Sequence, residues 1–489
     1  MKQQQTFYHF VLREKVNKQL LTIGLLTGVG YLLLLRVFFP FPSFYADSYT
    51  YIDAAAEQQP ISFRPIQYSE FISFFHHFST SDLGLIAGQY FSAVLANLFL
   101  FFTCIYFFKL PRGLKNIVFA LLIFNPLYLF AANFVLSDSF FCSLTTAWIA
   151  CLIWIIYKPG ITNMLGQLVL LLLLFKLRYN ALIFPFFTTL ALIFSKQSVW
   201  LKTGMAAVSF GILFLLMDNI SDTTEKLTGT RTFSAFSGWQ MASNAIHVLR
   251  YQPADTTDFD EEQRDINHFI INYLIDKDSL KIKEEEVTAS YIWDRQSPLK
   301  QYLGYYASKD RYYNNYFETW TALGPVYNTF GATVIRQQPL AYIRYFAWPN
   351  TKRYFFPVME AYQLFNEGRD SVDKLATRFY RYRSNKIDTR YASLQISLLA
   401  PWQYLFPVIN FLFILLGLLY AITGKYRQQS RLFNQTFITV AAFYVGNLCF
   451  VSAAAPNVFR YHLFVITLLI VFSTYLGYFL LKKDGESVK

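Results

Sequence analysis

Ten stretches of the chain are apolar over the length that a membrane helix needs, about 20 residues with about 17 tolerated. They run over 20–41, 84–108, 116–134, 138–157, 161–177, 179–195, 203–220, 396–421, 435–453 and 461–481. The pattern predicts an all-α polytopic membrane protein with ten transmembrane helices. It divides into a seven-helix module over 1–220, a mainly helical domain of its own over 221–395, and three C-terminal spans over 396–489. The fifth and sixth runs are short and share a single hinge at Lys176–Asn180, which predicts a shallow pair whose tip lies below the membrane surface. A further apolar-aromatic run, Leu340–Trp348, is too short to span and reads as an interfacial helix stopped by Pro349.

Composition agrees. The 489 residues are 54% hydrophobic and 15% charged, where a soluble chain carries roughly a quarter charged residues. Cys104, Cys142, Cys151 and Cys449 all fall inside apolar runs, with neither a disulfide framework nor metal spacing. The polar, basic N-terminal stretch leads into a full-length span without a small-residue cleavage site, as an uncleaved anchor does.

Charge sets the expected orientation. Lys109, Arg112, Lys115, Lys158, Lys196, Lys202, Lys425, Arg427, Arg431 and Lys482 share one side with the N-terminal basic residues. By the positive-inside rule that side is the cytoplasm, so both termini are cytoplasmic and 221–395 is exocytoplasmic. A bacterial inner (plasma) membrane suits the pattern. Ten carboxylates lie outside 221–395, and only Glu14, Asp484 and Glu486 fall on the cytoplasmic side. The other seven gather at the opposite face, and acidic residues hardly influence insertion. A site on that face accounts for them.

The second half of 221–395 interleaves cations with aromatic rings, as at Arg311, Arg344, Lys352 and Arg378. This suits the membrane interface, whose lipids are expected partners. Nucleic acid is excluded as a partner for an outward-facing domain, although single strands are bound by similar residues.

The candidate chemistry begins with Asp47, among Phe44, Tyr45, Ser48, Tyr49 and Tyr51 just beyond the first span. A helix is expected from about Tyr49 to Gln58, with Asp47 at its start and Tyr51 one turn on. A general base must lie within hydrogen-bond reach of the hydroxyl it activates; Asp is equally a favoured N-cap. Asp138 repeats the arrangement at the start of the fourth span, with Ser137 as a good N-cap and Asp138 complementing the helix dipole. The two acids are placed to split base and orienting roles or to share a divalent cation. No spacing marks a metal, so cation use stays open. Arg36, Arg64, Lys176, Arg178 and Arg460 run against the insertion bias at the same face. Charges kept at membrane depth are costly, which makes them candidate phosphate ligands, with snorkelling to lipid headgroups as the alternative. Tyr461 and His462 add a phenol and an imidazole beside Arg460.

Taken together, these pieces resemble the GT-C superfamily of polytopic glycosyltransferases, in particular the branch of protein O-mannosyltransferases and lipid A aminoarabinose transferases. The matching residues are Ala46 to Tyr51, Arg64-Pro65, Asn125-Pro126, Leu136 to Phe141, Lys176 to Asn180 and Phe459 to Tyr461. The chain departs from the pattern at Ser48, where many relatives carry a second acid, and at Asp138, where Glu is common. The resemblance implies an inverting transferase that moves a sugar from a polyprenyl-phosphate donor to a hydroxyl of a lipid, glycan or protein acceptor. Asp47 would be the base, with Tyr51 and Asp138 orienting it. Arg64, Lys176, Arg178, Arg460, Tyr461 and His462 would surround the donor phosphate. Other classes compete. An O-antigen polymerase or ligase would lean on loop arginines and histidines, and a lipid or glycan transporter would carry charges at mid-membrane. A non-catalytic assembly protein would keep only a degenerate site.

Overall fold

A computed structural model describes residues 6–279, 290–309 and 315–482; Arg311, Asp484 and Glu486 lie outside the described residues. Among the described residues no strand forms, and eight helices are long and apolar enough to cross a membrane. They are Lys15–Phe38, Leu83–Phe107, Arg112–Ala132, Ser137–Tyr157, Val199–Thr228, Ala392–Ile422, Arg431–Ala454 and Phe459–Leu481. The expected short pair forms too, as the shorter apolar helices Ile161–Leu177 and Tyr179–Phe194. Their hinge is Arg178, in extended backbone between a helix and a 3-10 turn.

The 137–157 and 459–481 helices are buried on nearly all sides, whereas 15–38, 199–228 and 392–422 keep exposed apolar faces such as Leu26, Leu33, Phe214, Leu215 and Val408. With lipid as solvent, that is the expected outer ring of a bundle. The 137–157 helix lies against 83–107 and 161–177, and 459–481 lies against 402–422.

The connections at one end of the bundle decide where the chemistry sits. Residues leaving the 15–38 helix run extended beside those entering the 137–157 helix. Ser43 N donates to Asn133 O at 2.9 Å, Val135 N donates to Ser43 O at 3.1 Å, and Ser43 and Phe134 form an isolated parallel bridge. Non-helical backbone near membrane depth needs such pairing because lipid offers no hydrogen bonds. Each strand-like piece then turns into a helix three residues later, Ala46–Ala56 and Ser137–Tyr157. Asp47 and Asp138 are therefore each the second residue of a helix, side by side. Neither caps its helix. Tyr45 is the N-cap of the first, with Ser48 Oγ accepting from Tyr45 N at 2.9 Å, and Leu136 is the N-cap of the second. The expectation that Ser137 caps is thereby corrected, because its hydroxyl bonds Tyr51 Oη instead, at 3.1 Å.

The 221–395 segment divides physically. Residues 235–279, 290–309 and 315–341 enclose a core of their own, built on Trp239, Trp320 and Tyr327, onto which Phe63 from the first connection packs. Residues 354–387 instead belong to the membrane core through Tyr354, Tyr362, Phe365 and Ile387, forming a strap across the end of the bundle. The expected stop at Pro349 is not there. Helix Pro339–Tyr342, a π turn over Ile343–Ala347 and helix Trp348–Phe355 run on continuously. The π turn offsets the hydrogen-bond ladder, so Pro349 sits in a first turn where its missing N–H is not needed.

The strap is tied down by a second charge group. Asp82 accepts from Arg36 Nη2 at 2.5 Å and from Tyr382 Oη at 2.6 Å. Hydrogen bonds to buried charges are worth about 1.5–3 kcal/mol. Tyr382→Phe is expected to lose about that much and to raise amide hydrogen exchange across 371–387; exchange unchanged from wild type would mean the tether is not carried by Tyr382.

Candidate active site

Six charged side chains meet where the two paired connections and the strap converge. A second isolated parallel bridge, Val358 with Val458, is closed by Phe459 N donating to Val358 O at 2.9 Å. Two residues beyond it on either side stand Glu360 and Arg460. The bridge sets this acid and base in register as the first bridge sets the two aspartates.

Arg460 is the hub. Its Nε donates to Glu360 Oε2 at 3.1 Å, Nη1 to Asp47 Oδ2 at 3.2 Å and Asp138 Oδ2 at 3.4 Å, and Nη2 to Asp47 Oδ2 at 3.2 Å and Tyr461 Oη at 3.3 Å. Arg64 Nη2 donates to the other Asp47 oxygen at 2.5 Å, and Arg178 donates to the other Asp138 oxygen. Three carboxylates and three guanidiniums thus alternate with no formal excess of either sign. The planar fork of arginine suits several carboxylates at once in a way an ammonium does not.

Tyrosine rings wall the cluster. The Arg460 guanidinium lies 5.2 Å from the Tyr45 ring and 5.1 Å from Tyr461, and Arg178 lies 4.5 Å from Tyr461. Burial, followed by the Glu360 charge, pushes the Tyr45 phenol well above its ordinary value, so it stays protonated and bonds Glu360. Burial alone would push the Asp47 carboxyl up, but Arg64 and Arg460 outweigh it and hold it below the ordinary carboxylate range. Asp47 is ionised, with both oxygens occupied.

Arg178, Asn180, Asn447, Arg460 and Tyr461 stand with Asp138 on the polar side of a narrow recess whose free space is about 10 Å3, room for about one water. Its remaining walls include Phe141, Phe184, Val451 and Phe464. A second recess, mostly apolar, lies between Trp148, Leu152, Thr439 and Phe443 of helices 137–157 and 431–454.

Not every candidate joins this cluster. Tyr51 is buried and reaches Ser137, next to Asp138, without touching Asp47's oxygens. Lys176 pairs with Glu70 at 3.1 Å, away from the recess. Two residues apart at a helix end point to nearly opposite sides, so Lys176 and Arg178 diverge. His462 also stands apart from the cluster. In the 3-10 turn Phe459–His462 residues three apart share a face. His462 therefore follows Phe459 into the core, 4.9 Å from the Phe406 ring and 4.5 Å from Tyr354. A divalent cation between Asp47 and Asp138 does not fit these residues. Arg460 fills that space, and among the described residues no three His, Cys, Asp or Glu side chains lie close enough together to hold a metal ion.

Glu360 is the participant that sequence reasoning missed. Its backbone is left-handed, with φ 45°, a conformation costly for a residue with a Cβ and concentrated at functional sites. The available signal was a lone acid after the basic-aromatic run Lys352 to Phe356.

No family model, no curated protein and no solved structure matches the chain.

Proposed function

We propose that the chain is a membrane-embedded, inverting glycosyltransferase of GT-C type that moves a sugar from a polyprenyl-phosphate donor to an acceptor hydroxyl. The site would face the exocytoplasmic side, a reading that the distribution of basic connections supports. The observation that carries this reading is the junction of two environments at one point. A narrow recess between helices, with Phe141, Phe184, Val451 and Phe464 among its walls, ends on Arg178 and Arg460, beside a buried, ionised Asp47. A lipid phosphate matches the cationic end, the recess would have to widen to admit the chain, and a carboxylate next to that end matches deprotonation of an incoming hydroxyl.

The resting network implies how the site is switched on. Asp47 cannot accept a proton while two guanidiniums hold both its oxygens. A donor phosphate entering beside Arg178 and Arg460 competes for those guanidiniums and draws Arg460 from Asp47. The freed oxygen then takes the acceptor's proton as the acceptor oxygen bonds the anomeric carbon. The bond from that carbon to the phosphate oxygen breaks, and the departing polyprenyl phosphate keeps the electron pair, stabilised by the same arginines. Asp138 holds Arg178, and Glu360 with Tyr45 holds Arg460, against the loss of their aspartate contacts.

Arg178→Ala is the experiment that tests the phosphate end. Affinity of the detergent-solubilised chain for a synthetic polyprenyl phosphate is expected to fall by about 10–100-fold, the worth of one charge-assisted contact. Arg64→Ala, which lies off the recess, is expected to change it much less. Equal affinities of wild type and Arg178→Ala would move the phosphate elsewhere.

A further inference from the structure

On the side of Asp47 away from the recess, Arg64 lies against a pile of aromatic rings. Its guanidinium carbon is 5.7 Å from the ring centres of both Phe236 and Trp293. Those two rings are near-parallel, 5.6 Å apart at 15°. Trp293 continues onto Trp320 at 5.8 Å and 19°, and Trp320 onto Trp239 at 3.6 Å and 8°. The pile is possible because the Ser237–Leu249 and Tyr316–Gln337 helices touch backbone to backbone. A Cβ on Gly238 would stand 1.8 Å from Gly324 O.

Exposure differs among these rings. Trp239 and Trp320 are buried, and their indole N–H groups donate to Trp320 O and Ala235 O at 3.0 and 2.8 Å. Trp293 is 48% exposed and Tyr316 53% exposed. Lys300 stands beside them, Nζ 4.2 Å from the Trp320 ring and hydrogen-bonded to Tyr316 Oη, with no carboxylate partner among the described residues. Burial pulls its ammonium down to about 8, so it remains a hydrogen-bond donor near neutral pH.

We propose that Trp293 and Phe236, edged by Tyr316, Lys300 and Arg64, form the acceptor subsite, and that the acceptor is a saccharide. The proposal rests on the transferase reading and supplies its second substrate class. A pyranose ring offers a face of C–H groups that desolvates well on an indole, whose π face is electron-rich. Its rim of hydroxyl oxygens meets the donors at the edge of the platform. Continuity with the site fixes the direction. Arg64 touches both platform rings and Asp47, so a sugar ring stacked there presents hydroxyls toward the base.

The test is retention of the fluorescently labelled full chain, in lipid nanodiscs, on an array carrying diverse oligosaccharides and Ser/Thr-containing peptides. Wild type is expected to bind a subset of saccharides, Trp293→Ala to lose at least 10-fold in signal, and Trp293→Phe to keep a substantial part. Peptide retention in place of saccharide, no saccharide retained, or equal retention by Trp293→Ala overturns the proposal. Binding of polyprenyl phosphate is measured on the same three proteins and is expected to be the same in each. Trp293-dependent saccharide retention without any lipid binding would uphold the saccharide site and remove the transferase reading, so the two fail separately.

Discussion

Asp47→Asn is expected to reduce sugar transfer by about 10²–10⁴-fold, the usual worth of a positioned general base, while polyprenyl-phosphate binding stays within a few-fold of wild type. The amide keeps an oxygen for Arg64 and nearly the same volume, so the helix Ala46–Ala56 should stay in place. What is lost is the group able to take a proton once Arg460 turns to the donor. The change also leaves one guanidinium without a compensating charge, which gives a stability readout independent of turnover. The folded carboxyl lies below its ordinary value because Arg64 and Arg460 offset the effect of burial. Its contribution is therefore complete above the unfolded value, about 3.9, and is lost as the pH falls through the folded one. Unfolding midpoints of wild type and Asp47→Asn should differ by a constant amount from pH 5 to 8 and converge in acid. A gap that instead widened toward low pH would mean that Asp47 is not held ionised by its arginines.

Arg460→Ala carries the second large effect. Its removal leaves Asp47, Asp138 and Glu360 converging on an empty centre, and breaking a buried ion pair from one side costs about 3–5 kcal/mol. We expect a loss of stability of that order together with loss of both donor binding and transfer. Arg460→Lys should recover much of the stability by restoring the charge, yet little of the transfer, because an ammonium cannot address Glu360 and two aspartates in one plane. Arg460→Ala combined with Asp138→Asn should be less destabilised than the single variant, since the second change removes one of the stranded charges. Stability of Arg460→Ala equal to wild type would show that the cluster is not held by this hub. Both series can be read by chemical unfolding in detergent, with transfer followed separately.

The parts of this arrangement that could be read from sequence share one property: they are charges in places where charge is costly. Asp47, Asp138, Arg178 and Arg460 stand out at or near the ends of apolar runs, and Arg64 in the connection between two of them, because insertion does not explain them. Glu360 carries no such mark, being one of many carboxylates in 221–395. It reaches the site through the Val358–Val458 bridge, a contact between residues far apart in the chain that leaves no local pattern. The same holds for the Ser43–Phe134 bridge, which brings the two aspartates abreast. His462 and Lys176 failed to join for the opposite reason. Proximity in sequence suggested proximity in space, whereas the 3-10 turn at Phe459–His462 and the helix end at Leu177 send neighbours in different directions. The division of 221–395 into a self-contained helical unit and a strap was equally hidden, since both are rich in aromatic residues and only their packing differs.

The most direct measurement is the release of polyprenyl phosphate from a panel of radiolabelled polyprenyl-phosphate sugars, incubated with the purified full chain and a cell-envelope glycan extract. Release and label transfer from at least one donor are expected of wild type, and neither of Asp47→Asn at equal protein and equal donor occupancy. Release by both proteins at the same rate, or by neither from any donor in the panel, would contradict the transferase reading.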